Sequence, residues 1–139
     1  MSNRILGPLA AAVLLLAPRA SAQGAESAKE PVSDGRTLSE WVAELTDGTA
    51  PQTRNAAAYE ISGMGPAAAA AVPALIEALD DPEATVRFPV TVALGEIGPA
   101  AKAAVPKLKK MMEEEINDEI AASARRALRR IQPEAISGQ

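Results

Sequence analysis

A chain of 139 residues holds a domain of ordinary size, and its apolar fraction of 47% is that of a globular protein, but its three aromatics (Trp41, Tyr59 and Phe88) and abundant alanine suit close helix packing rather than a β-sandwich. With no His and no Cys, Ser-His-Asp triads, thiol chemistry, disulfides and zinc centres are excluded on inventory alone. The net charge of -4 argues against general nucleic-acid binding, which relies on Lys and Arg to neutralise phosphates.

Met1–Ala22 reads as a secretory signal peptide: Arg4 supplies the charged start, Ile5–Ala17 the apolar stretch, and Ala20-Ser21-Ala22 the small-residue cleavage site. The expectation is an exported chain, periplasmic or secreted, that begins at Gln23 and has no membrane segment after cleavage. Thirteen apolar residues interrupted by Pro8 fall short of the roughly 20 that a spanning helix needs. Loss of Arg4 and Arg19 would take the net charge to -6. The remaining charge is uneven, with net -8 over residues 23–100 and net +2 over residues 101–139.

Residues 23–36 are polar, with Gly24, Pro31, Ser33 and Gly35, and read as a disordered linker. Thr37-Leu38-Ser39-Glu40 then has the form of a capping box, followed by Leu38, Trp41, Val42 and Leu45 on one helical face. A second helix opens at Thr49-Ala50-Pro51-Gln52, buries Ala57, Ala58, Ile61 and Met64, and stops at Gly63 and Gly65-Pro66. The third, from Val72-Pro73, buries Val72, Leu75, Ile76 and Leu79. A fourth, from Asp81-Pro82 to Gly98-Pro99, buries Val86, Val90, Leu94 and Ile97, and Pro89 inside it predicts a bend. In the fifth, from Val105-Pro106, the inward residues are Val105, Leu108, Met111 and Met112; in the sixth, capped by Asn117 or Asp118, they are Ile120, Ala124, Leu128 and Ile131.

These helices repeat. Gly65-Pro66-Ala67-Ala68 returns as Gly98-Pro99-Ala100-Ala101, and the same offset of 33 carries Val72-Pro73 onto Val105-Pro106 and Arg54 onto Arg87; one extra residue moves the sixth helix to an offset of 34. A period of this length marks a solenoid, whose units bury their apolar faces only by stacking. Three units are expected at 37–68, 72–101 and 105–135, with a tail at 136–139.

The pattern V-P-x-L in the first helix of a unit, D-P-x-x-x-V-R (Asp81–Arg87) leading into the second, and A-L-G-x-I-G-P-x-A (Ala93–Ala101) at its end resembles the short HEAT repeats of phycobilisome-lyase-like proteins. The third unit departs from it, with Ala121 at the Arg position and Gln132 at the Gly position. The resemblance implies an all-α fold, a right-handed α-α superhelix of three HEAT-like helix pairs, in which Asp81 and Arg87 join neighbouring repeats in a polar ladder. It also implies a binding or scaffolding role toward a protein partner, with a bilin-lyase-like or other small-ligand enzyme role as the alternative. Related deoxyhypusine hydroxylases hold iron with His-Glu pairs, and this chain has no His. No catalytic, cofactor or metal residue is assigned. The acidic runs Asp80-Asp81 and Glu113-Glu114-Glu115 lack the spaced ligands of a calcium loop and read as solvated helix ends.

Two surface features remain. Phe88 and Val92 lie nearly opposite the buried stripe of the fourth helix, and Tyr59 and Arg126 are the repeat equivalents of Val92. Second helices line the concave side of HEAT-like stacks, so Tyr59, Phe88, Val92 and Arg126 form the candidate partner-binding strip, against the alternative that the two aromatics are core. The basic set Lys107, Lys109, Lys110, Arg125, Arg126, Arg129 and Arg130 reads as a solvated C-terminal cap or as a surface for an anionic partner.

Overall fold

The computed structural model describes residues 29–137, so the Met1–Ala22 segment, residues 23–28 and residues 138–139 lie outside the described residues. Among the described residues six α-helices follow in chain order: α1 (Leu38–Asp47), α2 (Pro51–Met64), α3 (Val72–Ala78), α4 (Ala84–Ile97), α5 (Val105–Glu114) and α6 (Asp118–Ile131). They form three antiparallel pairs. The second members α2, α4 and α6 pack against one another in direct succession, while α3 and α5 meet mainly through the link between units. One continuous core runs from Leu38 to Ile131, with Ile61, Leu75, Leu79, Leu94, Leu108 and Leu128 fully buried. The molecule is therefore an all-α solenoid.

The two links show how closely the units repeat. Gly65–Ala71 and Gly98–Ala104 are both 3₁₀ segments, each with one non-helical residue at nearly the same angles, Ala68 (φ -89°, ψ 16°) and Ala101 (φ -89°, ψ 19°). Gly65 and Gly98 stop the preceding helices at φ 57° and 79°, in a region that side-chain-bearing residues rarely enter. Gly63, in contrast, stays inside α2 and stops nothing. Residues 51–78 are long and apolar enough to cross a membrane by length and composition. They fold instead as two helices joined by the Gly65 link, with Ala57, Ala58, Ile61, Val72 and Leu75 buried in the shared core.

Residues 29–36 correct the linker assignment. Val32–Ser33 (β1) and Arg36–Thr37 (β2) pair antiparallel around Asp34 and Gly35, whose φ values of 48° and 76° suit a tight hairpin of the primed kind. Polar groups, not apolar side chains, order this segment. Trp41 Nε1 donates to the Ser33 carbonyl at 2.9 Å, Ser33 Oγ donates to Glu60 at 2.6 Å, and the Leu38 N–H donates to the Pro31 carbonyl at 2.9 Å. Arg36 lies 4.8 Å over the Trp41 ring and pairs with Glu44. The hairpin thus packs on the first unit, against α1 and α2. At the other end the 3₁₀ turn Pro133–Ile136 lays Ala135 and Ile136 against the core, so Ile136 belongs to the third unit and not to a tail.

The capping box forms at Thr37 and Glu40, and Asn117 caps α6 through its side chain. Thr49 does not cap α2: Ala50 holds that position, and the Gly48 and Thr49 carbonyls accept from Arg54 instead. Helix α4 starts at Ala84, three residues beyond Asp81, because the Asp81 carboxylate takes the Glu83 N–H and stays in the loop. The helix then runs unbroken through buried Pro89. Proline frees the carbonyl four residues back, that of Thr85, and the Asn55 side chain of α2 donates to it.

Candidate partner-binding groove

A ladder of charge fixes how the repeats sit. Arg54 places Nη1 on the Gly48 carbonyl of its own unit and grips Asp81 of the next with Nε and Nη2, at 2.6 and 3.0 Å. Arg87 repeats the arrangement, with Nη1 on the Asp81 carbonyl and Nε and Nη2 on Glu115 at 2.9 and 3.1 Å. Both pairs are two-pronged, and their side chains are 8–18% exposed, so they act as orienting contacts rather than loose surface pairs. The expected ladder through Asp81 and Arg87 is therefore present. Ala121 stands where a third arginine would continue it.

The ladder sets an acid response. Burial alone would raise the Asp81 pKa, but the hydrogen bonds from Arg54 and the Glu83 N–H, with the Arg54 and Arg87 charges, outweigh it and hold it below the ordinary carboxylate value. Glu115 is held down first by the Arg87 hydrogen bonds and then by the Asn117 N–H, against its own desolvation. Carboxylates with depressed folded pKa values stabilise the fold fully above their unfolded value of about 4 and lose that contribution as pH falls through the folded values. Urea unfolding between pH 7 and pH 3 is thus expected to show stability falling below about pH 4.5. A shallower fall is expected in Asp81→Asn/Glu115→Gln, and an equally steep one would remove the ladder as its source.

Three of the grooves on the described surface touch the candidate strip or the basic set. The largest, about 480 Å³, lies between the loops of the second and third units, where Arg87 and Glu115 are already joined and Lys107 donates to the Ile76 carbonyl and pairs with Asp80. Its charged groups serve the stack. The second, about 300 Å³, lies on the second-helix layer between Asn55 and Tyr59 of α2, Thr85 and Phe88 of α4, and the start of α6. The third, about 280 Å³, continues along α4 and is walled by Val92 and Glu96 on one side and Arg126, Arg129 and Arg130 on the other.

The four candidate residues are thus divided, Tyr59 and Phe88 lining one groove and Val92 and Arg126 the next. Phe88 and Val92 join them, one helical turn apart on α4. Tyr59 is 49% exposed, whereas Phe88 and Val92 are half-buried and Arg126 is exposed. Phe88 is therefore neither free surface nor core: it forms a wall.

Sequence reasoning missed the floor of the third groove. Thr91 and Ser123 are buried with their hydroxyls 2.7 Å apart, and Thr91 Oγ1 lies 2.7 Å from the Phe88 carbonyl, so Ser123 can donate to Thr91 and Thr91 to the carbonyl. Beside them a Cβ on Gly95 would meet Ala127 Cα at 3.1 Å, so α4 and α6 touch nearly backbone to backbone. The signal was in the register. At the offset of 34, Thr91, Val92, Gly95 and Glu96 map onto Arg125, Arg126, Arg129 and Arg130: the positions by which α4 receives α6 are arginines on α6 itself. The basic set does not form one patch, because Lys107 and Lys110 line the loop groove and Arg130 is paired with Glu96 at 2.7 and 3.1 Å.

Among the described residues no cluster of three or more acidic side chains is placed to hold a metal ion. Stacked helix pairs with a repeated Gly-Pro link and an Arg-carboxylate ladder define a helical-repeat solenoid. The chain belongs to the HEAT repeats: that family model matches residues 38–129, from the first residue of α1 to the last turn of α6. No curated protein and no solved structure matches it.

Proposed function

We propose that this chain is an exported, non-catalytic HEAT-repeat module, of the short phycobilisome-lyase-like type, that binds another protein along the face of α2, α4 and α6. The observation that carries the reading is Tyr59, a large side chain 49% exposed on a helix whose opposite face is core, beside the half-buried ring of Phe88. Exposed apolar area with no packing duty tends to mark contacts, and aromatic anchors often dominate them. The two grooves on the second-helix face are open to solvent, and the buried hydroxyls at the base of one, Thr91 and Ser123, are satisfied by each other and by the Phe88 carbonyl, which favours a binding surface over a lyase-like or other small-ligand active site.

Tyr59 is the cleaner probe. Tyr59→Ala is expected to leave stability within about 0.5 kcal/mol, as for surface changes, yet weaken capture of the partner by about 2 kcal/mol, as at a hot spot. Phe88→Ala is expected to weaken capture as well and to cost about 1–2 kcal/mol of stability, between surface and core values. Calorimetry on each variant, with quantitative pull-down from the exported fraction, reads both. Capture unaffected by either change would refute the reading. Export itself is supported by Arg4, the apolar stretch and Ala20-Ser21-Ala22. N-terminal sequencing of the exported form should begin at Gln23; a soluble cytosolic pool retaining Met1 would contradict it.

A further inference from the structure

We propose that the groove between α4 and α6 binds a short acidic segment of a partner protein, with one apolar side chain seated over Val92, Gly95 and Ala127 and flanking carboxylates held by Arg126 and Arg129. This rests on the binding reading above and names the chemistry of its partner. Charge pairing supplies the first observation. Arg36, Arg54, Arg87 and Arg130 each hold a carboxylate, whereas Arg125, Arg126 and Arg129 are in no ion pair among the described residues. Two of those three line this groove. A guanidinium is a planar fork that matches a carboxylate, so exposed arginines flanking a cleft favour such a ligand. The acid that lines the same groove, Glu96, is paired with Arg130, which offsets its repulsion of an incoming carboxylate.

The floor supplies the second observation. Gly95 and Ala127 bring the helices to close contact at the base of the cleft, and the aliphatic stem of Arg130, whose Cδ lies 3.8 Å from where a Cβ on Gly95 would stand, adds apolar surface to its wall. The polar groups at its base, Thr91 and Ser123, are satisfied by each other and by the Phe88 carbonyl, so the floor asks for an apolar group. About 280 Å³ accommodates one or two side chains and not a folded domain. A nucleic acid strand fits less well: beyond the groove it would run along a chain carrying net -8 over residues 23–100.

The test uses the full chain and two fluorescein-labelled peptides, Glu-Glu-Leu-Glu-Glu and the same peptide with Ser for Leu, followed by fluorescence anisotropy. The leucine peptide is expected to bind about tenfold or more tighter than the serine peptide, and about tenfold or more weaker to Arg126→Gln/Arg129→Gln, with affinity falling as salt rises. Equal binding of the two peptides, or unchanged binding to the double variant, would overturn the proposal. Displacement of the leucine peptide by oligothymidylate of equal charge at equal or lower concentration would also overturn it, in favour of a general polyanion site. The exposed arginines leave the fold intact in the variant, and circular dichroism with the thermal midpoint checks this. Partner capture lost in Tyr59→Ala but intact in Arg126→Gln/Arg129→Gln would sink the acidic-segment proposal while leaving the groove reading standing. Capture intact in both would sink the two together.

Discussion

Leu94→Ala is expected to destabilise the protein by about 2–5 kcal/mol, because it empties the centre of the middle repeat. Leu94 is fully buried on α4, the helix that packs on both α2 and α6. Its neighbours are held by the close α4–α6 approach at Gly95 and Ala127 and by the Arg54 and Arg87 ladder, so little collapse can refill the space. Against a total stability of about 5–15 kcal/mol, such a loss lowers the thermal midpoint by about 10 °C or more. The shared core makes a further demand: unfolding should remain one transition, since no unit buries its apolar face alone. Urea denaturation followed by circular dichroism measures both, and a loss below about 0.5 kcal/mol would place Leu94 outside the core.

Trp41→Ala carries the second large effect, about 3–5 kcal/mol for the lost ring. The ring is 6% exposed, and its indole N–H is the donor that ties the Ser33 carbonyl, and with it the 32–37 hairpin, to the first repeat. The change should therefore act twice, on global stability and on local protection of the hairpin. Trp41→Phe separates the two, keeping most of the apolar burial while leaving the Ser33 carbonyl without its donor, at about 1 kcal/mol. Hydrogen exchange across residues 30–37 is expected to quicken in both variants. If it stayed as slow as in the parent, the hairpin would owe its order to the Ser33–Glu60 and Pro31–Leu38 bonds instead.

The solenoid was legible because two signals agreed. The helical spacing of Leu38, Ile61, Leu94 and Leu128 and the return of Gly-Pro-Ala-Ala at an offset of 33 both depend on local backbone geometry that the sequence states directly. Arg54 and Arg87 were visible as repeat equivalents, and the structure gives both the same grip. The hairpin was less legible. Strands of two residues show no alternation, and the order of residues 29–36 comes from hydrogen bonds to Trp41 and Glu60, which lie 8 and 27 residues from Ser33. Asp34-Gly35 was the one local clue to it.

The site was legible by face and not by neighbour. Periodicity put Phe88 and Val92 opposite the core stripe, but what half-covers Phe88 comes from other helices, and no period within α4 reports that. Likewise Asn55, the repeat equivalent of Phe88, has no visible duty until Pro89 leaves the Thr85 carbonyl free beside it. The arginines of α6 were read by composition as one basic patch with the lysines of α5. Their meaning lies in the offset of 34, which sets Arg125 and Arg129 at positions that are buried as Thr91 and Gly95 one unit earlier.

Site-specific photo-crosslinking tests the proposed binding face most directly. A benzophenone side chain placed at Tyr59 or at Val92 in the producing cell should yield a discrete adduct with one and the same protein, whereas the same group at Glu77 on α3 or Lys109 on α5 should give none. Adducts formed equally from α3 and α5, or no adduct from Tyr59 and Val92, would contradict a partner-binding groove on the second-helix face.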